Sequence, residues 1–109
     1  MESKIIFKIK LDEEKIPETI NWSADDSGIE GDKPCNATMM CIWDPKDNTT
    51  LRIDLWTKDM LVDDMKRFFY ENFLSMADTY LRATNDKESA DEISKFAEWF
   101  GKKTGVAGK

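Results

Sequence analysis

Paired carboxylates are the residues of this chain whose types could support acid–base chemistry. Asp25 and Asp26 stand together in a polar segment, and Asp63 and Asp64 stand together at the start of a predicted helix. A catalytic carboxylic acid needs apolar surroundings that raise its pKa, and neither pair has them. The sequence contains no histidine, which excludes the commonest general base at neutral pH and every Ser-His or Cys-His arrangement. We therefore predict that the protein is not an enzyme.

The acidic segment Asp25–Asp32 is the candidate for a bound cation. It contains four carboxylates and two glycines, but it lacks the alternating oxygen ligands of a calcium loop. A solvated acidic turn is the simpler interpretation, and weak cation binding is the alternative. No glycine-rich phosphate-binding motif occurs in the sequence. We therefore predict no metal and no cofactor.

Charge and cysteine spacing restrict the partners and the compartment. The net charge of −6 argues against nucleic-acid binding, because binding to phosphates requires a concentrated excess of Lys and Arg. Cys35 and Cys41 have the spacing of neither a redox motif nor a zinc site, so we interpret them as reduced thiols. The sequence shows no secretory segment and no run of about 20 apolar residues. We expect a cytoplasmic location and no membrane insertion.

Alternating side chains predict three strands. Residues 3–11 place apolar and lysine side chains on opposite faces of a first strand. A long crossover is predicted over residues 12–34 because charge, proline and glycine interrupt the pattern. Within it, Ile20–Ser23 is either a short strand or a plug over the core. Residues 37–43 and 49–56 predict a hairpin, because turn residues separate them.

Helical periodicity follows the strands. After Asp59, a predicted N-cap, apolar residues recur at spacings of three and four along about five turns. This stripe is expected to pack on the sheet. A second helix is predicted to start at Ser89, which with Glu92 has the spacing of a capping box, and to end at Gly101.

These elements together predict one α+β domain over residues 1–101. A small antiparallel sheet of three or four strands, with a long crossover after the first, would pack against two C-terminal helices. Residues 102–109 are expected to form a flexible tail. At 109 residues the chain is long enough for one core without disulfides or metals.

The outer side of the third strand is the candidate interaction surface. Arg52, Asp54 and Trp56 would point away from the inner side, and Met40 and Ile42 are expected beside them. Trp and Arg are enriched among the residues that dominate binding energy. The alternative is that the crossover or another chain covers this side. A homodimer or a higher homo-oligomer is also possible, because the apolar surface of the first helix is broad.

Four stretches of the sequence resemble the family of the gliding motility protein GldC. They occur in the same order as in that family, namely Ile20–Ala24, Leu51–Met60, Ser75–Tyr80 and Arg82–Asp86. The resemblance implies a non-catalytic accessory or adaptor protein of the gliding machinery of Bacteroidota, which is coupled to type IX secretion. It also implies a protein partner from the motility or secretion machinery.

Two other functions stay open from the sequence. The order of strands and helices is similar to that of the export chaperone SecB, which suggests a chaperone that binds unfolded or exported polypeptides. A chaperone would expose apolar grooves to many chains, whereas an adaptor would bind one folded partner. A small-molecule carrier would require a cavity between the sheet and the helices.

Overall fold

Five strands and two helices follow one another along the described chain. The computed structural model describes residues 1–28 and 30–108. Ile29 of the predicted acidic loop and Lys109 of the predicted tail lie outside the described residues. All strand pairs are antiparallel, and together with the two helices they confirm the predicted α+β class.

The elements divide between two units. The sheet unit is Met1–Met60, and its strands are β1 (Ile5–Leu11), β2 (Pro17–Ala24), β3 (Lys33–Cys35), β4 (Ala37–Asp44) and β5 (Thr49–Trp56). The helical unit begins at Leu61, and its helices are α1 (Val62–Thr84) and α2 (Lys87–Thr104). A single domain over residues 1–101 and the packing of the first helix on the sheet stay predictions.

β2 follows β1 as a hairpin, so the predicted long crossover after the first strand is wrong. Asp12 shapes the turn, because its Oδ1 accepts hydrogen bonds from the backbone N–H of Glu14 at 2.8 Å and of Ile16 at 3.0 Å. Lys15 completes the turn in the left-handed conformation, with φ of 64°. β2 then starts at Pro17. The charged residues and the proline gave this stretch the composition of a loop, but an Asx turn here links two strands.

Ile20 is the centre of the sheet unit. β2 lies between β1 and β3, and Ile20 pairs with Ile9 on one side and with Cys35 on the other. Only 1% of Ile20 is exposed, which identifies this stretch as a strand of the core. Two residues further, Trp22 lies opposite Phe7 and is half-buried.

The predicted hairpin of β4 and β5 is confirmed. Asp44 Oδ1 accepts a hydrogen bond from the backbone N–H of Lys46 at 2.9 Å, and Asn48 takes the left-handed conformation with φ of 50°. The inner side of the third strand, on which the alternation places Leu51, Ile53 and Leu55, was expected to be buried; this is wrong for two of the three, since Leu51 is 50% and Ile53 is 45% exposed. A hairpin of two strands covers little surface by itself, so Leu51 and Ile53 stay accessible to water, while Leu55 on the same side is half-buried.

The two helices form an antiparallel hairpin, and small residues line the contact between them. The buried residues of the pair are Ala77 on α1 and Ala90, Ala97 and Gly101 on α2. Small side chains allow the two backbones to approach closely. The predicted helix end at Gly101 is therefore wrong, because Gly101 lies within the helix contact and α2 continues to its C-cap Gly105.

The N-termini of both helices also differ from prediction. α1 starts after Leu61, which makes no side-chain capping bond, and the predicted cap Asp59 lies outside the helix. α2 is capped by Asp86, whose carboxylate accepts a hydrogen bond from the backbone N–H of Ser89. Asp is a strong N-cap residue, and here it stands three residues earlier than the predicted cap Ser89.

An aromatic cluster lies along one side of the helix pair. The Phe73 ring makes edge contacts with Phe96 and Phe100, at centroid distances of 5.2 and 5.1 Å. Phe96 remains 47% exposed and Trp99 57% exposed.

Neither described helix combines the length and the apolar composition that a membrane crossing requires. The last turns of α2 include residues 102–104, and the flexibility of the tail stays a prediction.

Candidate protein-binding face

The register of β4 and β5 decides which side chains share a face. Ala37 pairs with Trp56, and the pairs continue to Asp44 and Thr49. Directly opposed residues of an antiparallel pair point to the same side. One side, the tryptophan face, carries Ala37, Met39, Cys41, Trp43, Thr50, Arg52, Asp54 and Trp56. The other, the aliphatic face, carries Thr38, Met40, Ile42, Asp44, Thr49, Leu51, Ile53 and Leu55.

The structure separates the five predicted surface residues. Arg52, Asp54 and Trp56 share the tryptophan face, as predicted. Met40 and Ile42 lie on the aliphatic face, because they pair with Ile53 and Leu51. Their expected place beside Arg52 is therefore wrong. Whether either face binds a partner stays a prediction.

An oriented ion pair occupies the middle of the tryptophan face. Arg52 donates to Asp54 from Nε at 3.1 Å and from Nη2 at 2.9 Å, and its Nη1 lies 2.8 Å from Cys41 Sγ. The hydrogen bonds and charge of Asp54 raise the pKa of the Arg52 guanidinium above its ordinary value. An exposed pair of this kind adds little stability. The two parallel hydrogen bonds to Asp54 instead hold the plane of the Arg52 guanidinium in one orientation along the strand.

Two tryptophans mark the ends of this face. Trp43 is 62% exposed and Trp56 is 55% exposed. Trp43 pairs with Thr50, so six strand positions separate the two indoles, a span of roughly 20 Å at about 3.3 Å per residue. Trp43 was missed as a site residue in the sequence. Trp43 pairs with Thr50, which lies two residues before Arg52 and therefore on the same side of β5. Counting residue pairs outward from the predicted turn could have placed Trp43 on this face.

A cleft adjoins the Trp56 end of the face. It measures about 230 Å³ and is lined by Ile16, Pro17, Asp54, Leu55 and Trp56. Small-molecule sites in proteins usually measure about 300–1,000 Å³, so this cleft suits one side chain of a partner better than a metabolite.

Two carboxylates of the acidic loop bind β1 and the residue before it. Asp25 Oδ2 accepts a hydrogen bond from the backbone N–H of Lys4 at 3.0 Å, and Asp32 pairs with Lys8 Nζ at 2.9 Å. Within residues 1–28 and 30–108, no group of three or more Cys, Asp or Glu side chains is placed to hold a metal ion.

Comparison with known proteins gives one result. Residues 17–106 of the 109-residue chain match the family described as gliding motility-associated protein GldC-like. No curated protein and no solved structure matches the chain.

Proposed function

The chain belongs to the GldC-like family of gliding motility-associated proteins, and from that membership we propose that it is a non-catalytic adaptor of the gliding machinery. In this proposal the tryptophan face binds a folded protein partner. The partner is a component of the motility machinery or of the type IX secretion apparatus coupled to it, and the complex forms in the cytoplasm.

The exposure of Trp43 and Trp56 on one face is the observation that carries this proposal. Both indoles are more than half exposed, and water contact with so much apolar surface is unfavourable unless another surface covers it. Between them Arg52 is held in a fixed orientation by Asp54. Trp and Arg are the residue types most enriched among those that dominate the energy of protein–protein binding.

The test is complementation of gliding. In the bacterium of origin the gene is deleted and replaced by wild type, by a Trp43→Ala/Trp56→Ala variant or by Trp99→Ala. Trp99 is equally exposed but lies on α2, outside the proposed face. We expect wild type and Trp99→Ala to restore spreading on agar, and the double variant to fail at an equal protein level.

Two outcomes would contradict the adaptor role. Full gliding by the double variant would show that the tryptophan face is not needed. Normal gliding by the deletion strain would show that the protein is not required for the process.

A chaperone is the second candidate, and the aliphatic face favours it. Ile42, Leu51 and Ile53 are all about half exposed and adjoin one another in register. A SecB-like chaperone would delay aggregation of several chemically unfolded proteins, and Leu51→Ser would weaken that effect. An adaptor would delay none of them, because its partner is folded.

A further inference from the structure

β5 has a free edge. Within the sheet unit its hydrogen-bonded neighbour is β4, on one side, and the described residues pair no second strand with it. An edge of eight residues presents unpaired backbone N–H and C=O groups to any strand that matches it. The question is which strand the side chains of β5 select.

We propose that β5 pairs antiparallel with β5 of a second copy of this chain, with Ile53 on the two-fold axis. A two-fold axis perpendicular to the sheet places residues on the same side opposite each other. With Ile53 facing the partner's Ile53, Arg52 stands opposite the partner's Asp54, and Asp54 stands opposite the partner's Arg52. The strand is therefore complementary in charge to itself in this register.

The neighbouring symmetric registers are unfavourable. A shift that centres Arg52 places two guanidinium groups directly opposite each other, and a shift that centres Asp54 does the same with two carboxylates. Like charges in directly opposed positions destabilise a strand pair. Longer shifts lose paired residues. The charges of Arg52 and Asp54 therefore select one register.

The selected register also joins apolar side chains. Leu51 stands opposite the partner's Leu55, and Ile53 stands opposite the partner's Ile53. Both Leu51 and Ile53 are about half exposed in one copy, and cross-strand apolar pairs stabilise a sheet. The guanidinium of Arg52 has five N–H donors. It can therefore keep its bonds to Asp54 and also reach the partner's Asp54.

The other long strands lack this complementarity. On β1 together with the preceding Lys4, a symmetric pairing centred anywhere from Ile6 to Lys10 sets two lysines opposite each other, drawn from Lys4, Lys8 and Lys10. Such lysines protect an edge from self-pairing. β4 carries one charged residue, Asp44, so it offers no pair of opposite charges. β5 is the strand whose charges favour a second copy.

Two single charge reversals test the register. Arg52→Asp leaves two carboxylates on each β5, and Asp54→Arg leaves two guanidinium groups, so each variant alone opposes like charges in its dimer. Mixed in equal amounts, the variants restore both opposite-charge pairs across the axis. The intrachain pair stays broken in both, so recovery reports on the contact between chains.

The readout is solution mass by light scattering at tens of micromolar. We expect wild type at twice 12.6 kDa, each single variant at the monomer mass, and the mixture back at the dimer mass. Lys46→Asp and Asp47→Arg, which make the same charge changes in the turn between β4 and β5, should remain dimers. A monomeric wild type, dimeric single variants or a monomeric mixture would overturn the proposal.

A cross-link keeps the test decisive if the charge variants fold poorly. In a Cys35→Ser/Cys41→Ser background, Ile53→Cys should form a disulfide-linked dimer on mild oxidation, because the two-fold axis passes between the two thiols. Thr49→Cys should not, because four residues separate it from the axis in each copy. Equal cross-linking at both positions, or none at position 53, would contradict this register.

Discussion

Asp54 lies two residues after Arg52 on β5, and its carboxylate accepts two hydrogen bonds from the Arg52 guanidinium at 3.1 and 2.9 Å. Residues two apart on a strand point to the same side, so this pair belongs to one face of the hairpin. Exposed tryptophans flank it at both ends of that face. Exposed ion pairs contribute little to folding, and the proposed function therefore gives this arrangement a role in recognition.

Tryptophan substitutions should separate binding from folding. Trp43→Ala and Trp56→Ala should change the free energy of unfolding by no more than about 0.5 kcal/mol, as exposed substitutions usually do. Trp22→Ala should cost about 2 kcal/mol, roughly half of the 3–5 kcal/mol of a fully buried aromatic, since Trp22 is half-buried opposite Phe7. Urea unfolding followed by circular dichroism measures all three. A large loss with Trp56→Ala would mean that this indole supports the fold.

The close contact at Gly101 should make alanine unfavourable there. A Cβ at this position would stand 2.5 Å from Tyr70 Cε1 and 2.7 Å from Ala107 Cβ. Overpacking costs about 1–3 kcal/mol, and the better helix propensity of alanine offsets about 1 kcal/mol. We expect a net loss in thermal unfolding that shrinks in a Tyr70→Ala background. The exposed Lys102→Ala should be neutral, and a stabilising Gly101→Ala would refute the close helix contact.

Asp86 should make the helical unit sensitive to acid. Hydrogen bonds from Ser89, and then from the Tyr80 hydroxyl, lower the pKa of the Asp86 carboxyl below its ordinary value. A carboxyl with a lowered folded-state pKa stabilises the fold fully above its unfolded-state pKa, and this contribution is lost as the pH falls through the folded-state pKa. Asp86→Asn retains a capping side chain but should remove this part of the pH dependence. Melting temperatures from pH 7 to pH 2 test it, and identical profiles would contradict the assignment.

The two cysteines should differ in reactivity. Partial burial raises the pKa of the Cys35 thiol, against a smaller opposite effect of the hydrogen bond with the Ala37 backbone, whereas Cys41 is exposed. The thiolate is the reactive form, so a thiol reagent at pH 7.5 should modify Cys41 first. Cys35→Ser should leave the fast phase and Cys41→Ser should remove it. A fast phase that survives Cys41→Ser would assign it to Cys35 instead.

Local patterns predicted much of the fold. Alternation in β1 and β5 and the three-to-four periodicity of α1 each depend on one segment of chain, so strands and helices were correctly placed there. β2 was hidden because the Asp12 side chain forms the turn before Pro17, and composition alone gave this stretch the character of a loop.

Features that depend on two segments could not be predicted in the same way. Met40 and Ile42 lie on the opposite face of the hairpin from Arg52 because of the register in which β4 pairs with β5. A shift of one residue in that register would place them on the same face. The burial of Gly101 follows from its contact with α1. A glycine near a helix end has the same local sequence whether it is a cap or a contact.

Photo-cross-linking in living cells tests most directly whether the tryptophan face is the binding surface. A photoreactive phenylalanine derivative replaces Trp43, Trp56 or, as the control on α2, Trp99. The account predicts that positions 43 and 56 both form an adduct of defined mass with a protein other than a second copy, and that position 99 forms none. Position 56 should also form an adduct between two copies, because the proposed pairing of β5 places it opposite the partner's Thr50. An adduct from position 99 alone would contradict it and would locate the partner surface on the helical unit.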